Sequence, residues 1–168
     1  MKDMNNKLLI LFGKAGTGKN YVAKIIEKEY KFYFYDGDID LTEDMITAIK
    51  DKKDFTDKMR DTYFEKIKNH MSELLNNYNK IVFTQGLFKN KHRIELLREF
   101  PFAEFILIES DEDILIKRIL KRNNYITTEY ANKINKYFEK PNFSCKKITN
   151  NKGENEILRQ IRELGMDS

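Results

Sequence analysis

With 168 residues, 40% of them apolar and 12% aromatic, the chain has the size and apolar content of one globular domain with a real core. Its charges are many but nearly balanced, at a net +4 with no long run of one sign, which argues against nucleic acid as a partner. One cysteine, Cys145, excludes an intrachain disulfide, and no apolar run approaches membrane-spanning length, so a cytoplasmic protein is expected.

In chain order, Lys7–Phe12 reads as a buried strand and the residues from Gly18 to Lys28 as a helix with Val22, Ile25 and Ile26 on one face. A second, aromatic strand at Phe32–Tyr35 ends in Asp-Gly-Asp. From about Asp54 to Tyr78, apolar residues recur every three or four positions (Phe55, Met59, Tyr63, Ile67, Met71, Leu74), which predicts a long helix. Ile81–Thr84 reads as strand, Arg93–Glu99 as helix and Ala103–Glu109 as strand. Asp111–Lys121 reads as a helix with an aspartate cap, Thr127–Phe138 as helix, Lys146–Thr149 as strand and Glu154–Leu164 as the last helix. Repeated alternation of strand and helix predicts an α/β fold: a five-stranded parallel sheet with helices on both faces. In such sheets ligands sit beyond the C-terminal strand ends, so the loops after the strands are where function is sought.

The first such loop is FGKAGTGKN, Phe12 to Asn20. Strand before and helix after are the context of a phosphate loop, G-x-x-x-x-G-K-[ST]. Backbone N–H groups of Gly13, Lys14, Ala15, Gly16, Thr17 and Gly18 are expected to cradle phosphate oxygens, with Lys19 reaching the β- and γ-phosphates of ATP. Asn20 stands where a serine or threonine normally ligates Mg²⁺. Its amide oxygen can also ligate Mg²⁺, though it suits a tight octahedral shell less well.

The second loop is Asp36-Gly37-Asp38. Two carboxylates at a strand end suit phosphoryl transfer: Asp36 is expected to hold Mg²⁺ and Asp38 to orient the attacking hydroxyl. Gly37 is expected to let the backbone approach a ligand, and Asp40 reads as a solvated or capping residue. Arg118 and Arg122 share a helix face ahead of a polar stretch read as a lid at about 122–135; Arg122 is expected to close over the phosphates. Arg60, among apolar neighbours, is a candidate to bind an anionic substrate. Gly86 begins the loop after the third strand, where Lys89, His92 and Arg93 follow, and one or two of these are expected to touch substrate. Residues 150–153 form the loop after the fifth strand, beside the expected nucleotide base. His70 and Cys145 read as structural.

As an ordered set these motifs resemble the small P-loop kinases of the gluconokinase and shikimate kinase group, over about residues 7 to 165. FGKAGTGKN resembles their phosphate loop. YFYDGDID is similar to the gluconokinase strand that ends in D-G-D, and KKDFTDKMRDTYFEKI to the segment that places Arg60 on the family's arginine. TQGLFKNKHR and FILIESDEDILIKRILKRNNYI resemble its later strand–helix segments, with Arg118 and Arg122 on the arginines of R-L-x-x-R; NKYFEKP resembles F-x-x-L-E-x-P. The resemblance implies Mg²⁺- and ATP-dependent phosphorylation of a hydroxyl on a small anionic metabolite. It implies substrate contacts from Asp38, Arg60, Gly86, Lys89 and Arg93, nucleotide contacts from Arg118, and a monomer or homodimer. The chain departs from gluconokinases at Asn20, after Asp38 (IDLTED) and at Gln85-Gly86, so the reaction class is better supported than gluconate as acceptor. A nucleoside, nucleotide or polynucleotide 5′-kinase is the competing enzyme; a nucleotide-binding regulatory domain without turnover is the competing non-enzyme.

Overall fold

The computed structural model describes residues 5–122 and 127–166. Five strands lie in one parallel sheet: β1 (Lys7–Phe12), β2 (Tyr33–Asp36), β3 (Lys80–Thr84), β4 (Glu104–Glu109) and β5 (Lys146–Thr149), in the order β2-β3-β1-β4-β5. Register places Leu9 beside Val82, Tyr35 beside Phe83, Ile10 beside Phe105 and Ile108 beside Ile148. β1 is central and buried on both faces, as its unbroken apolar run requires.

The two faces of the sheet bury separate clusters. Leu9 and Leu11 of β1 meet Val22, Ala23 and Ile26 of helix α1 (Lys19–Tyr30) and Ile157 and Ile161 of α7 (Glu154–Glu163). Leu8, Ile10 and Phe12 face Tyr63, Phe64, Ile67 and Met71 of α3 (Asp57–Asn77) and Leu96 of α4 (Asn90–Glu99). A buried side chain of this kind contributes about 1.5–3 kcal/mol. The expected α/β architecture with helices on both faces is therefore present.

Three local differences bear on the site. A one-turn 3-10 segment (Gly37–Asp40) and an eight-residue helix, α2 (Glu43–Lys50), occupy the stretch after β2. Thr42 caps α2, its hydroxyl accepting from Met45 N–H at 3.2 Å, and Met45, Ala48 and Ile49 are buried. The last two helices before β5 are α5 (Glu112–Lys121) and α6 (Thr128–Asn135). Asp111 is the cap position of α5 but makes no side-chain capping bond. α6 ends three residues earlier than its pattern predicts, running into turns at Lys136 and Tyr137. Residues 123–126 of the expected lid lie outside the described residues.

Candidate active site

The loop after β1 turns sharply because glycine stands where no side chain fits. A Cβ on Gly13 would lie 2.4 Å from the carbonyl oxygen of Ile108, and one on Gly18, at φ +81°, 2.3 Å from Asn150 Nδ2. Thr17 is buried and ties the turn, its hydroxyl donating to the Lys14 carbonyl at 3.0 Å. Lys19 begins α1, and its ammonium donates to the carbonyls of Gly13 (3.1 Å) and Lys14 (2.9 Å). Burial lowers its pKa to about 8, with Asp38 and Asp36 opposing that shift and Arg122 adding to it. A cation this poorly solvated is poised for an anion entering the loop.

Asn20 is engaged on both sides of its amide. Its Nδ2 donates to Asp36 Oδ2 at 3.0 Å, and its Oδ1 accepts from the Thr84 hydroxyl at 2.6 Å. Asp36 Oδ1 in turn accepts from Asp38 N–H at 2.9 Å and so starts the 3-10 turn. Asn20 thereby joins the phosphate loop, β2 and β3, a contact a serine is too short to make in the same way. Gly37 is buried beside β3. Its missing Cβ makes room for β3, because that atom would lie 2.8 Å from the Phe83 ring and 2.9 Å from the Thr84 carbonyl.

Asp38 lines a cavity of about 690 Å³ together with Lys19, Asn20, Asp36, Arg60, Gly86, Lys89 and Arg122. It is exposed by area, yet protein crowds its carboxylate, and desolvation followed by Asp36 raises its pKa. Gln85 Nε2 donates to Asp38 Oδ1 at 3.3 Å and also to the Tyr63 hydroxyl, which donates to the Gly37 carbonyl at 2.8 Å. The sequence marks Gln85 only as a departure from the gluconokinase pattern and Tyr63 only as an apolar-face residue of the long helix, neither as a site residue. Gln85 follows β3 directly, and that position was the available signal. Gly86 packs against Phe88, and its carbonyl accepts from Gly13 N–H at 3.3 Å. Arg60 reaches the cavity from α3 with Nη1 on the Phe55 carbonyl at 2.9 Å. Lys89 stands at the mouth, its ammonium 5.7 Å from the centre of the Tyr137 ring.

Two expectations are corrected. Arg93 is fully buried and does not line the cavity. Its guanidinium lies 4.8 Å from the Phe12 ring centre and 4.7 Å from that of Phe138. It donates to the carbonyls of Leu87 (2.6 Å), Glu139 (2.8 Å) and Phe88 (3.3 Å) and to Asn90 Oδ1 (2.7 Å). Desolvation lowers its pKa to about 10, so it stays charged at neutral pH. Arg93→Met should therefore cost about 3–5 kcal/mol of stability in urea unfolding, because it strands several buried carbonyls. A loss below about 1 kcal/mol would contradict this structural role. Asp40 is likewise buried rather than solvated: it accepts from Tyr35 OH, meets His70 Nδ1 at 2.6 Å and faces Lys66 at 3.9 Å.

Arg118 buttresses the phosphate loop from behind. Its Nη1 donates to the carbonyls of Thr17 (3.1 Å) and Gly16 (3.3 Å) and to Ser110 Oγ (2.8 Å), and its Nη2 to the Asn150 carbonyl (2.7 Å). Buried Asn150 donates to the Thr17 carbonyl at 2.9 Å, so the loop after β5 is tied to the phosphate loop. A second cleft of about 440 Å³ opens there, lined by Gly18, Tyr21, Arg118, Arg122, Asn150 and Gly153. Arg122 is exposed and borders both cavities. From α6, Asn135 holds Ala15 by both backbone groups, accepting from its N–H at 3.0 Å and donating to its carbonyl at 3.4 Å. Neither Asn135 nor Ser110 was foreseen, since nothing local marks such contacts.

The comparisons agree with this fold. Residues 9–139 match the AAA domain family. A shikimate kinase from Staphylococcus haemolyticus is 22% identical over 170 residues, covering 93% of this chain and 92% of that protein. The crystal structure of a sugar kinase from Janibacter superposes with a TM-score of 0.81 at 16% identity, covering 95% of each chain. A gluconokinase structure from Sinorhizobium meliloti gives 0.76 at 18% identity, covering 98% of this chain and 97% of that one. The chain belongs to the AAA domain family and has the fold of the small P-loop kinases of the gluconokinase and shikimate kinase group.

Proposed function

We propose that the protein transfers the γ-phosphoryl group of ATP to a hydroxyl of a small metabolite. The observation that carries this reading is the shared cavity: the phosphate-loop Lys19, the paired carboxylates Asp36 and Asp38, and Arg60 all open onto one space. ATP would lie with its phosphates in the loop and its base toward the cleft bordered by Asn150 and Gly153. The acceptor oxygen attacks the γ-phosphorus as the bond to the ADP oxygen breaks, and Asp38 takes the hydroxyl proton. Lys19 and Arg122 neutralise charge on the transferring group.

The donor set suits Mg²⁺. Asp36 offers a carboxylate, and Asn20 Oδ1, already accepting one hydrogen bond, keeps a second lone pair. Asp36 and Asn20 would hold the ion, which would supply charge neutralisation for the transferring phosphoryl group. Asn20→Ser tests the assignment: it should change the Mg²⁺ concentration for half-maximal rate by about threefold or more, and lowering is expected if serine is the better ligand. An unmoved Mg²⁺ dependence excludes Asn20 from the metal shell.

The reading is tested by ADP release with Mg²⁺-ATP against sugar acids, shikimate, simple sugars, nucleosides, nucleotides and a 5′-hydroxyl oligonucleotide. One acceptor raising release far above background establishes the transferase. Silence across the panel with ATP binding intact would favour a nucleotide-binding domain without turnover. No described helix is long and apolar enough to cross a membrane.

A further inference from the structure

Helix α3 meets the Asp-Gly-Asp turn at two points. Tyr63, Lys66 and His70 stand at i, i+3 and i+7 on α3 and so share one of its faces. At the start of the 3-10 turn, Tyr63 OH donates to the Gly37 carbonyl at 2.8 Å. At its end, Asp40 Oδ2 lies 2.6 Å from His70 Nδ1, and Lys66 Nζ faces Asp40 Oδ1 at 3.9 Å. A carboxylate only accepts, so Nδ1 of His70 carries the hydrogen. Tyr35 of β2 donates to the same Oδ2, and its ring packs on His70 with ring centres 4.5 Å apart.

Asp38 sits between these two points. Its N–H donates to Asp36 Oδ1 at 2.9 Å and its carbonyl accepts from Leu41 N–H at 3.2 Å, so its backbone moves only with the turn. Its side chain lines the large cavity, where Gln85 reaches it only at 3.3 Å. Ile39 beside it is 67% exposed, so packing of that residue does not hold the turn. The posture of the turn depends on Gly37 and Asp40, and both are held from α3.

A carboxylate withdrawn from water costs stability, and an apolar side chain in its place would pack on Tyr35 without that cost. What the hydrogen-bonded pair supplies, and an apolar contact does not, is direction. We infer that His70 and Asp40 are positioning residues for Asp38: through them α3 fixes the turn, and with it the line along which the Asp38 carboxylate enters the cavity. The consequence for turnover rests on the phosphotransferase reading; the hold on the turn does not.

The test is residue-resolved amide hydrogen exchange on the full chain, with ADP release measured in parallel. His70→Phe keeps a ring against Tyr35 and removes the donor, whereas His70→Asn restores a donor nitrogen near the place of Nδ1. In His70→Phe the Asp38 and Leu41 amides should exchange about tenfold faster or more, while those of Ile67 and Met71 in α3 stay within about twofold of the parent. His70→Asn should bring both back towards the parent. With Mg²⁺-ATP and the most active acceptor of the panel, kcat should fall about tenfold in His70→Phe while KM for ATP stays within about twofold, and His70→Asn should recover most of the rate. Should His70→Phe not fold, Asp40→Asn keeps the shape, weakens the bonds to Tyr35 and His70, and should give the same local loss. Unchanged exchange at Asp38 and Leu41, equal acceleration throughout α3, or an unchanged kcat would overturn the inference. If no acceptor is turned over, the exchange result decides it alone, and it is the phosphotransferase reading that fails.

Discussion

Lys19→Met should lower kcat/KM for ATP by about 10³-fold or more while the chain stays folded. The ammonium is parked on two carbonyls of its own loop, Gly13 and Lys14, at 3.1 and 2.9 Å. Lys19 is the first residue of α1, and the phosphates are the natural replacement for those carbonyls. Its pKa, lowered to about 8, fixes the pH behaviour. In the free enzyme the charge needed for phosphate binding is present below about pH 8 and lost above it, so kcat/KM for ATP should fall on the alkaline side near that value. Stability runs the other way. Between about 8 and the ordinary 10.5 the unfolded chain holds the proton and the folded chain does not, so stability rises with pH across that window. The strain of the charged form is therefore present at pH 7, and Lys19→Met should unfold at no lower temperature than the parent. Unchanged turnover, or a variant that fails to fold, would remove Lys19 from the mechanism as argued.

How far the site was legible depends on how local each part is. The phosphate loop and Asp36-Gly37-Asp38 could be read because strand, turn glycine and functional group lie within a few residues. α2 was missed although its signals were present. Thr42 caps it and Glu43 and Asp44 fill its first turn, but its buried face is only Met45, Ala48 and Ile49, too short a period to stand out. Arg93 was misread because an arginine after a strand of this sheet is expected to meet ligand. Its position between Phe12 and Phe138 is set by residues far along the chain, which no local pattern contains. The same holds for Asp40, whose burial follows from Tyr35 and His70, and for Asn20. The sequence marks Asn20 as a departure from the loop motif; only the fold shows that its amide links Thr84 to Asp36.

Asp38→Asn should lower kcat by about 10²–10⁴-fold and leave ATP binding near the parent value. Asparagine keeps the shape and can still meet Gln85, so the change removes proton acceptance and little else. The raised pKa gives this prediction a second readout. Desolvation and the neighbouring Asp36 hold the Asp38 carboxyl above its ordinary 3.8, so the active, ionised form appears only as pH rises through that raised value. The parent should show an acid limb in kcat at that pH, and the limb should vanish in Asp38→Asn. Linkage gives the sign for stability. A carboxyl with a raised folded pKa binds its proton more readily folded than unfolded, so stability is lost as pH climbs through the folded value. Above that folded value the ionised Asp38 is thus a burden on the fold, and there the asparagine variant should melt at the same temperature or higher. Loss of activity with a raised melting temperature is the pattern of a group strained for function. If kcat falls but the acid limb persists, some other group, Asp36 first among them, takes the proton.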